Sequence, residues 1–514
     1  MTEHRTLALD LLAGEIAEKV CRIDTVLDAA ERDAPSSEHQ VVSAIRDMVD
    51  VLKHELFYAL SAWREGRKPS RPEEPKTALG RQMLFADGLM RVVNHFHPVH
   101  LQLGLLSTSW IGSETQIFLR GLFRTSPAAI ERISVVASRE YAFAEAGLPG
   151  ETLGRGGPED NSGNQTVVVL LPRIELRNPL NWAMGAHEAA HAIMHMRGVR
   201  ESLERIWSRT RGLQRESFFA WTQELLADYL ACTCLLDAYP VSLALYAFTS
   251  RQRIDSVSVS HPELLRRIRD LMNLFLPVWG PPKLSPVFLE PPGFGSASLF
   301  FPAGESDIGD LSVLLNDLVD LTLHLPQTRA QGVNRTEYPF QTHELLEALK
   351  GIVVESQRDL RTEHPKAEYD SATRKALLKR LNQHVPIGSF PSSPEQPAVL
   401  KCQSAELKDH LEEGKPLTGD CTDLKKDLFN SIRELPTTMT QIINTGWHYR
   451  LTVSHERFSQ AFLNEGYSLD DPKKGFLKRL DDYRAHIEER DKLLLKSIEI
   501  AHYVDVLREL PDGA

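Results

Sequence analysis

The feature that most constrains the fold of this 514-residue chain is a short pattern in its first half, His187-Glu188-Ala189-Ala190-His191. Histidines four residues apart project from one face of a helix, so this stretch predicts a helix on which two imidazoles hold one divalent ion. Neutral imidazole nitrogen suits zinc, and Glu188 is placed to take a proton from a water on that ion. The pattern alone is only moderately specific, so the surrounding residues must supply a third ligand.

The residues around this pattern predict a strand, a short turn and then the helix. Residues 165–171 are a β-branched and apolar run of strand length. Asn178 followed by Pro179 is typical of a helix N-cap with proline in the first helical position. Gly198 is a suitable C-terminal stop, so we expect the helix to end just before it.

A third histidine on the same helix is the first alternative for the third ligand. The extended pattern H-E-x-x-H-x-x-G-x-x-H needs it six residues after His191, where this chain has Arg197. His195 falls one turn beyond His191, and we predict that it lies too far along the helix to join the pair. The third ligand is therefore expected from another part of the chain.

A second helix, predicted over residues 218–236, offers two carboxylates four residues apart, Glu224 and Asp228. They share one face of a helix that is otherwise apolar there, and burying them is costly unless a cation faces them. We predict that Glu224 is the third zinc ligand and that Asp228 accepts a hydrogen bond from a ligand imidazole, which fixes its tautomer. The alternative is an exposed polar stripe on an amphipathic helix.

A further pattern follows at His261-Pro262 and Arg267-Ile268. Together with the H-E-x-x-H pattern and the E-x-x-x-D pair of the second helix, it resembles the gluzincin peptidases. The closest likeness is to the branch that contains the prenyl-protein endoprotease and the HtpX-type heat-shock protease. The resemblance covers about residues 160–275. Those relatives are largely embedded in membranes, so their substrate class is not carried over.

The resemblance implies a role for each matched residue. The residues that would bind one zinc ion per chain are His187, His191 and Glu224. Glu188 would be the general base that activates a zinc-bound water, and His261 with Arg267 would stabilise the oxyanion. His261 fits equally well as a neighbour of a helix N-cap before Pro262. In such peptidases, the strand beside the helix usually receives the substrate as an extra strand.

Composition disfavours several other classes of function. The formal net charge is −11, and no lysine- and arginine-rich stretch is dense enough to follow a phosphate backbone, so we expect no nucleic-acid partner. No apolar run approaches the roughly 18 residues that cross a bilayer, so we expect no membrane insertion. The five cysteines are scattered and the first residues do not form a signal sequence, which together predict a cytoplasmic protein.

The chain is too long for one ordinary core, and we predict a mostly α (α+β) fold of several domains. A zincin-like metallopeptidase core with a small sheet is flanked by N-terminal and C-terminal helical domains. Stretches rich in proline and glycine set the boundaries. The predicted parts are an N-terminal helical hairpin (1–75), the zincin-like core (76–276), a Pro/Gly-rich connection (277–305), a helical region (306–384), a linker (385–400) and a C-terminal helical domain (401–514).

These features predict a soluble zinc metalloendopeptidase that hydrolyses peptide bonds of a protein or peptide substrate. Because helical arms make up most of the chain, we expect a narrow substrate range and a regulatory partner that acts through the arms. Analogy adds a role in stress or anti-phage defence. The alternative from another class is a non-proteolytic interaction or sensor protein built on a zincin scaffold.

Overall fold

The structure is a computed structural model of the chain. It describes residues 2–33, 38–66, 75–103, 113–123, 132–138, 141–146, 166–196, 203–204, 207–208, 215–235, 238–249, 267–268, 271, 371–387, 438–467 and 470–509. They form a mostly helical molecule with a small sheet, as the sequence predicts. No helix in these ranges combines the length and the apolar character needed to cross a bilayer. The predicted connection at 277–305 lies outside them.

The described helices are α1 (Thr2–Asp33), α2 (His39–Gly66), α3 (Pro75–Leu103), α4 (Ser113–Phe123), α5 (Trp182–Met196), α6 (Arg215–Leu235), α7 (Ala238–Thr249), α8 (Ser371–Asn382), α9 (Met439–Tyr449), α10 (His455–Phe458) and α11 (Pro472–Glu509). Two π-helical stretches, Arg450–Ser454 and Ser459–Asn464, flank α10. The strands are β1 (Arg132–Ser138), β2 (Ala142–Ala146) and β3 (Thr166–Pro172).

The predicted N-terminal hairpin is present as α1 and α2, but it is not packed as a separate domain. α1 packs against α2, α3 and α11. Ile16 of α1 and Leu494 of α11 belong to one hydrophobic core, and a buried ion pair joins Glu18 of α1 to Arg490 of α11 at 2.9 Å. The boundaries predicted for 1–75 and 401–514 therefore do not separate independent cores. Proline and glycine mark turns, and turns say little about which helices pack together.

The region from 371 to 387 also packs into this core. α8 lies within the region predicted to be helical, and Leu377 and Leu381 on it are buried. Ile387, inside the predicted linker 385–400, is fully buried, and its N–H donates to Ser497 Oγ of α11 at 2.8 Å. The start of that segment is therefore part of the packed structure.

The sheet has the strand order β1-β3-β2, with β1 parallel and β2 antiparallel to β3. β3 confirms the strand predicted at residues 165–171. Val169 and Leu171 of β3 are fully buried, and α5 comes close to Leu171 at Gly185, where a Cβ would lie 3.2 Å from Leu171 Cδ2. Because β3 is the central strand, both of its edges are already paired. The expectation that this strand receives a substrate is therefore wrong for β3.

The turn between β3 and α5 differs from the predicted N-cap at Asn178. Asn178 precedes a one-turn 3₁₀ helix, Pro179–Asn181, without a side-chain cap, and α5 begins only at Trp182. The Asn178 amide instead donates to Glu175 Oε2 at 2.7 Å. The same carboxylate accepts from Asn181 at 3.0 Å and lies 3.6 Å from Lys19 of α1. The side chain that was expected to cap the helix is thus engaged by a buried acid.

Gly446 on α9 allows this helix to pack next to the start of α5. A Cβ at this position would lie 2.8 Å from Leu180 Cδ2 and 2.9 Å from Leu494 Cδ1, and both leucines are fully buried. We expect Gly446→Ala to lower the free energy of unfolding in urea by about 1–3 kcal/mol, because an extra methyl group overpacks the core.

Gly80→Ala on α3 is the matched control for this substitution. Gly80 is exposed and a Cβ there would meet nothing within 4 Å. Alanine should therefore stabilise the protein by about 0.5–1 kcal/mol through helix propensity alone. If both alanine variants gained stability, the close packing at Gly446 would be wrong.

Candidate metal centre

The structure brings His187, His191 and Glu224 together from two helices, α5 and α6, which pack against each other. Nε2 of His187 lies 3.2 Å from Nε2 of His191. The carboxylate of Glu224 lies 3.3 Å from each imidazole, through Oε2 to His187 and Oε1 to His191. Donors at 2.0–2.1 Å from a tetrahedral ion are about 3.3–3.4 Å apart. The three side chains therefore fit a common divalent ion.

Small residues on α5 allow this approach. Gly185 faces the sheet, and Ala186, Ala189 and Ala190 are all fully buried. His187 is 3% exposed. The residues next to the two histidines are therefore packed into the core, which fixes the position of this part of α5.

Asp228, one turn after Glu224 on α6, lies behind His187. It is fully buried, and its Oδ1 is 3.0 Å from His187 Nδ1. With Nδ1–H donating to this carboxylate, Nε2 faces Glu224 and is the nitrogen that would bind an ion after losing its proton. Burial lowers the pKa of His187, but hydrogen bonds to Asp228 and Glu224 outweigh it and raise the pKa to about 10.

Arg267 contacts both carboxylates of α6, Glu224 and Asp228. It is 6% exposed and forms a two-bond contact with Asp228, Nε to Oδ2 at 2.7 Å and Nη2 to Oδ1 at 2.8 Å. Its Nη1 lies 3.0 Å from Glu224 Oε2. The guanidinium therefore binds the two carboxylates of α6, and the oxyanion role that the resemblance implies for it stays a prediction. His261 lies outside the described residues, and its role stays a prediction, as do those of His195 and Arg197.

Burial and neighbouring charge have opposite effects on the pKa of Asp228. Burial raises its pKa, but the positive charge and hydrogen bonds of Arg267, with those of His187, outweigh this effect and lower the pKa to about 2. The carboxylate is consequently ionised at neutral pH. The pKa of Glu224 falls well below its ordinary value against the same burial cost, with Arg267 and both imidazoles as the causes.

Tyr239 is a member of the site that sequence reasoning missed. This fully buried residue on α7 donates its hydroxyl to Asp228 Oδ1, and the hydroxyl oxygen lies 3.1 Å from His187 Nδ1. Its ring is nearly parallel to the His187 ring, with 6.3 Å between centroids. Nothing in the spacing of the motifs marks this tyrosine, because its position depends on how α7 packs against α5 and α6.

Glu188 is next to the imidazole pair and partly buried. Burial raises its pKa, and the negative charge of Glu224 adds to this effect, while His187, His191 and Arg267 oppose it. A carboxylate with a raised pKa is a better proton acceptor near neutral pH than an ordinary glutamate.

The hydroxyl of Tyr141, just before β2, is a second buried group near Glu188. It makes no hydrogen bond to any part of the chain that the structure describes. Burial raises the pKa of Tyr141 well above its ordinary value, and the charges of Glu175, Tyr246 and Glu188 contribute. Nothing in the sequence pattern indicated this residue.

The net charge of the side chains around the centre is a second test of whether they fit a divalent metal ion. With His187 neutral, as a metal ligand must be, the ionised Glu188, Glu224 and Asp228 carry three negative charges, and Arg267 compensates one of them. Uncompensated charge in a buried site is costly. A divalent cation would bring these four groups to neutrality, so the donor set and the charge balance agree.

Comparisons with models of protein families, with curated proteins and with solved structures gave no match to this chain.

Proposed function

We propose that this chain is a zinc-dependent metalloendopeptidase with a zincin-type core. The observation that carries the proposal is the triangle of donor atoms from His187, His191 and Glu224, with Glu188 beside it. Two imidazoles and one carboxylate are the protein ligands of several hydrolytic zinc sites, which keep a fourth position open. We therefore choose zinc among the divalent ions.

In this proposal each polar group of the centre has a defined task. A bound zinc ion supplies Lewis-acid chemistry, since it polarises a carbonyl group and lowers the pKa of water to near neutral. Glu188 accepts the proton of the attacking water and passes it to the leaving amine. Asp228 and Tyr239 hold the tautomer and orientation of His187, and Arg267 fixes Asp228.

An extended substrate would be held by the edge strand β2. β2 pairs with β3 along one edge and packs against α5. Among the described strands, none pairs with its other edge. Addition of a peptide strand there would use main-chain hydrogen bonds and so place the scissile bond near the helix that carries Glu188.

Metal content tests the proposal directly. We expect about one zinc per chain by elemental mass spectrometry, and loss of that zinc in Glu224→Gln, because an amide oxygen is a far weaker ligand than a carboxylate. Glu216→Gln is the control, since Glu216 is exposed near the start of the same helix. Absence of zinc from the wild-type chain after purification with added zinc would rule the proposal out.

One observation favours the alternative function, that of a non-proteolytic interaction or sensor protein. The guanidinium of Arg267 lies 3.0 Å from Glu224 and 3.5 Å from Nε2 of His187, so a cation already faces two of the proposed ligands. In a metal-free scaffold, Arg267 would neutralise the site. Zinc bound without any cleavage product would favour the sensor, and no zinc at all would favour the scaffold.

A further inference from the structure

A cavity of about 500 Å³ lies away from the metal centre, between α1, α4, α11 and the turn that leads into α5. Small-molecule sites generally have volumes of about 300–1,000 Å³. The described lining of this cavity shares no residue with the metal centre. It is therefore a candidate for a second and separate site.

The lining of this cavity is rich in cations. Six cationic and four acidic side chains contribute to it. The six cations are Arg22, Arg32, Arg173, Arg177, Arg484 and Lys492. The chain as a whole has a net charge of −11, whereas cations outnumber acids in the lining of this cavity. Guanidinium groups present planar pairs of donors that match phosphate and carboxylate oxygens.

Two of the four acids in the lining form close ion pairs within the protein. Asp28 contacts Arg46 at 2.8 Å and Arg484 at 2.9 Å. Asp491 lies 2.6 Å from Nη1 of Arg22. These ion pairs engage two lining acids together with two lining arginines, and cations still outnumber acids among the other lining residues.

Arg22 lines the cavity and, among the described residues, also has buried donors without an acceptor. It is 7% exposed, and within the part of the chain that the structure describes its Nε and Nη2 make no hydrogen bond, although Nη2 lies 3.7 Å from Glu18. Buried donors without an acceptor are unfavourable. Nearby, burial lowers the pKa of the Arg173 guanidinium, with Glu38 acting in the opposite direction.

We propose that this cavity binds a small organic anion that carries phosphate. A phosphate group concentrates about two charges and several acceptor oxygens on one centre, which suits arginines that converge from different elements. Apolar lining by Val26, Ile174, Ile487 and Leu495 provides room for an uncharged portion of the ligand. The described lining contains no aromatic side chain, so stacking does not contribute to recognition.

Titration calorimetry of the full chain with inorganic pyrophosphate tests this proposal. We expect one binding site per chain at physiological ionic strength, and about tenfold or greater weakening in Arg177→Gln, which removes one charge-assisted contact. Arg177 is exposed, so the substitution leaves the fold intact. Arg91→Gln, an exposed arginine on α3, makes the same charge change elsewhere and should leave the affinity unchanged.

Four results would overturn the proposal. One is a failure of pyrophosphate to bind. Another is a weakening of binding by Arg91→Gln as large as that by Arg177→Gln, which would indicate general electrostatic attraction. Tighter binding of citrate than of pyrophosphate would overturn the assignment to phosphate. Glu224→Gln separates this site from the metal centre: retained pyrophosphate binding supports the cavity, and lost binding places the anion at the metal.

Discussion

Replacing Glu188 by glutamine is expected to lower the rate of peptide-bond hydrolysis by about 10²–10⁴-fold, the usual contribution of a positioned general base. The amide keeps the size of the side chain but accepts no proton at neutral pH. Zinc content and the free energy of unfolding should stay at the wild-type level, because Glu188 is not among the three residues of the donor triangle. Mass spectrometry of a proteome-derived peptide library measures the rate without knowledge of the natural substrate.

Glu216→Gln is the matched control, since it makes the same chemical change on an exposed surface. Comparison of new protein termini in cells that express wild type, Glu188→Gln or Glu216→Gln then identifies the substrate. Equal cleavage by wild type and Glu188→Gln would remove Glu188 from the role of base. Together with a zinc-loaded site, that result would leave the sensor as the better explanation.

The substitution Asp228→Ala has the second large expected effect, a loss of about 3–5 kcal/mol in the free energy of unfolding of the zinc-free protein. Asp228 is fully buried and receives two hydrogen bonds from Arg267 and one from Tyr239. Its removal leaves the Arg267 charge buried with only Glu224 nearby as a described carboxylate partner. Urea denaturation with a chelator present measures the effect.

An exposed ion pair provides the control for Asp228. Asp87 and Arg91 on α3 lie 3.4 Å apart with both side chains exposed, so Asp87→Ala should change stability by less than about 1 kcal/mol. Adding Arg267→Met to Asp228→Ala should restore part of the loss, since it removes the uncompensated cation. If Asp228→Ala cost no more than Asp87→Ala, the buried network would not contribute to stability as described.

The sequence predicts the members of the candidate centre that depend on spacing within a helix. His187 and His191 are four residues apart, as are Glu224 and Asp228, so each pair faces one direction once the helix forms. Because burying two carboxylates is costly, the second pair predicts a cation opposite it. The structure brings these four residues together.

Tertiary packing determines what the sequence could not predict. Tyr239 reaches Asp228 because α7 packs against α6, and the contact of Arg267 with Asp228 is not specified by the motif that contains this arginine. In the same way, a β-branched run identifies β3 as a strand but gives no sign that it lies between two others. The spacing of residues within one helix or strand cannot predict these contacts, because they join different elements of the fold.

X-ray absorption at the zinc edge of the zinc-loaded chain tests the central claim most directly. The proposed centre predicts nitrogen and oxygen neighbours at about 2.0–2.2 Å, with the outer-shell scattering of two imidazoles that is lost in His191→Ala. Sulfur neighbours at about 2.3 Å, for example from Cys232 and Cys234, or an imidazole signal unchanged in His191→Ala, would contradict it.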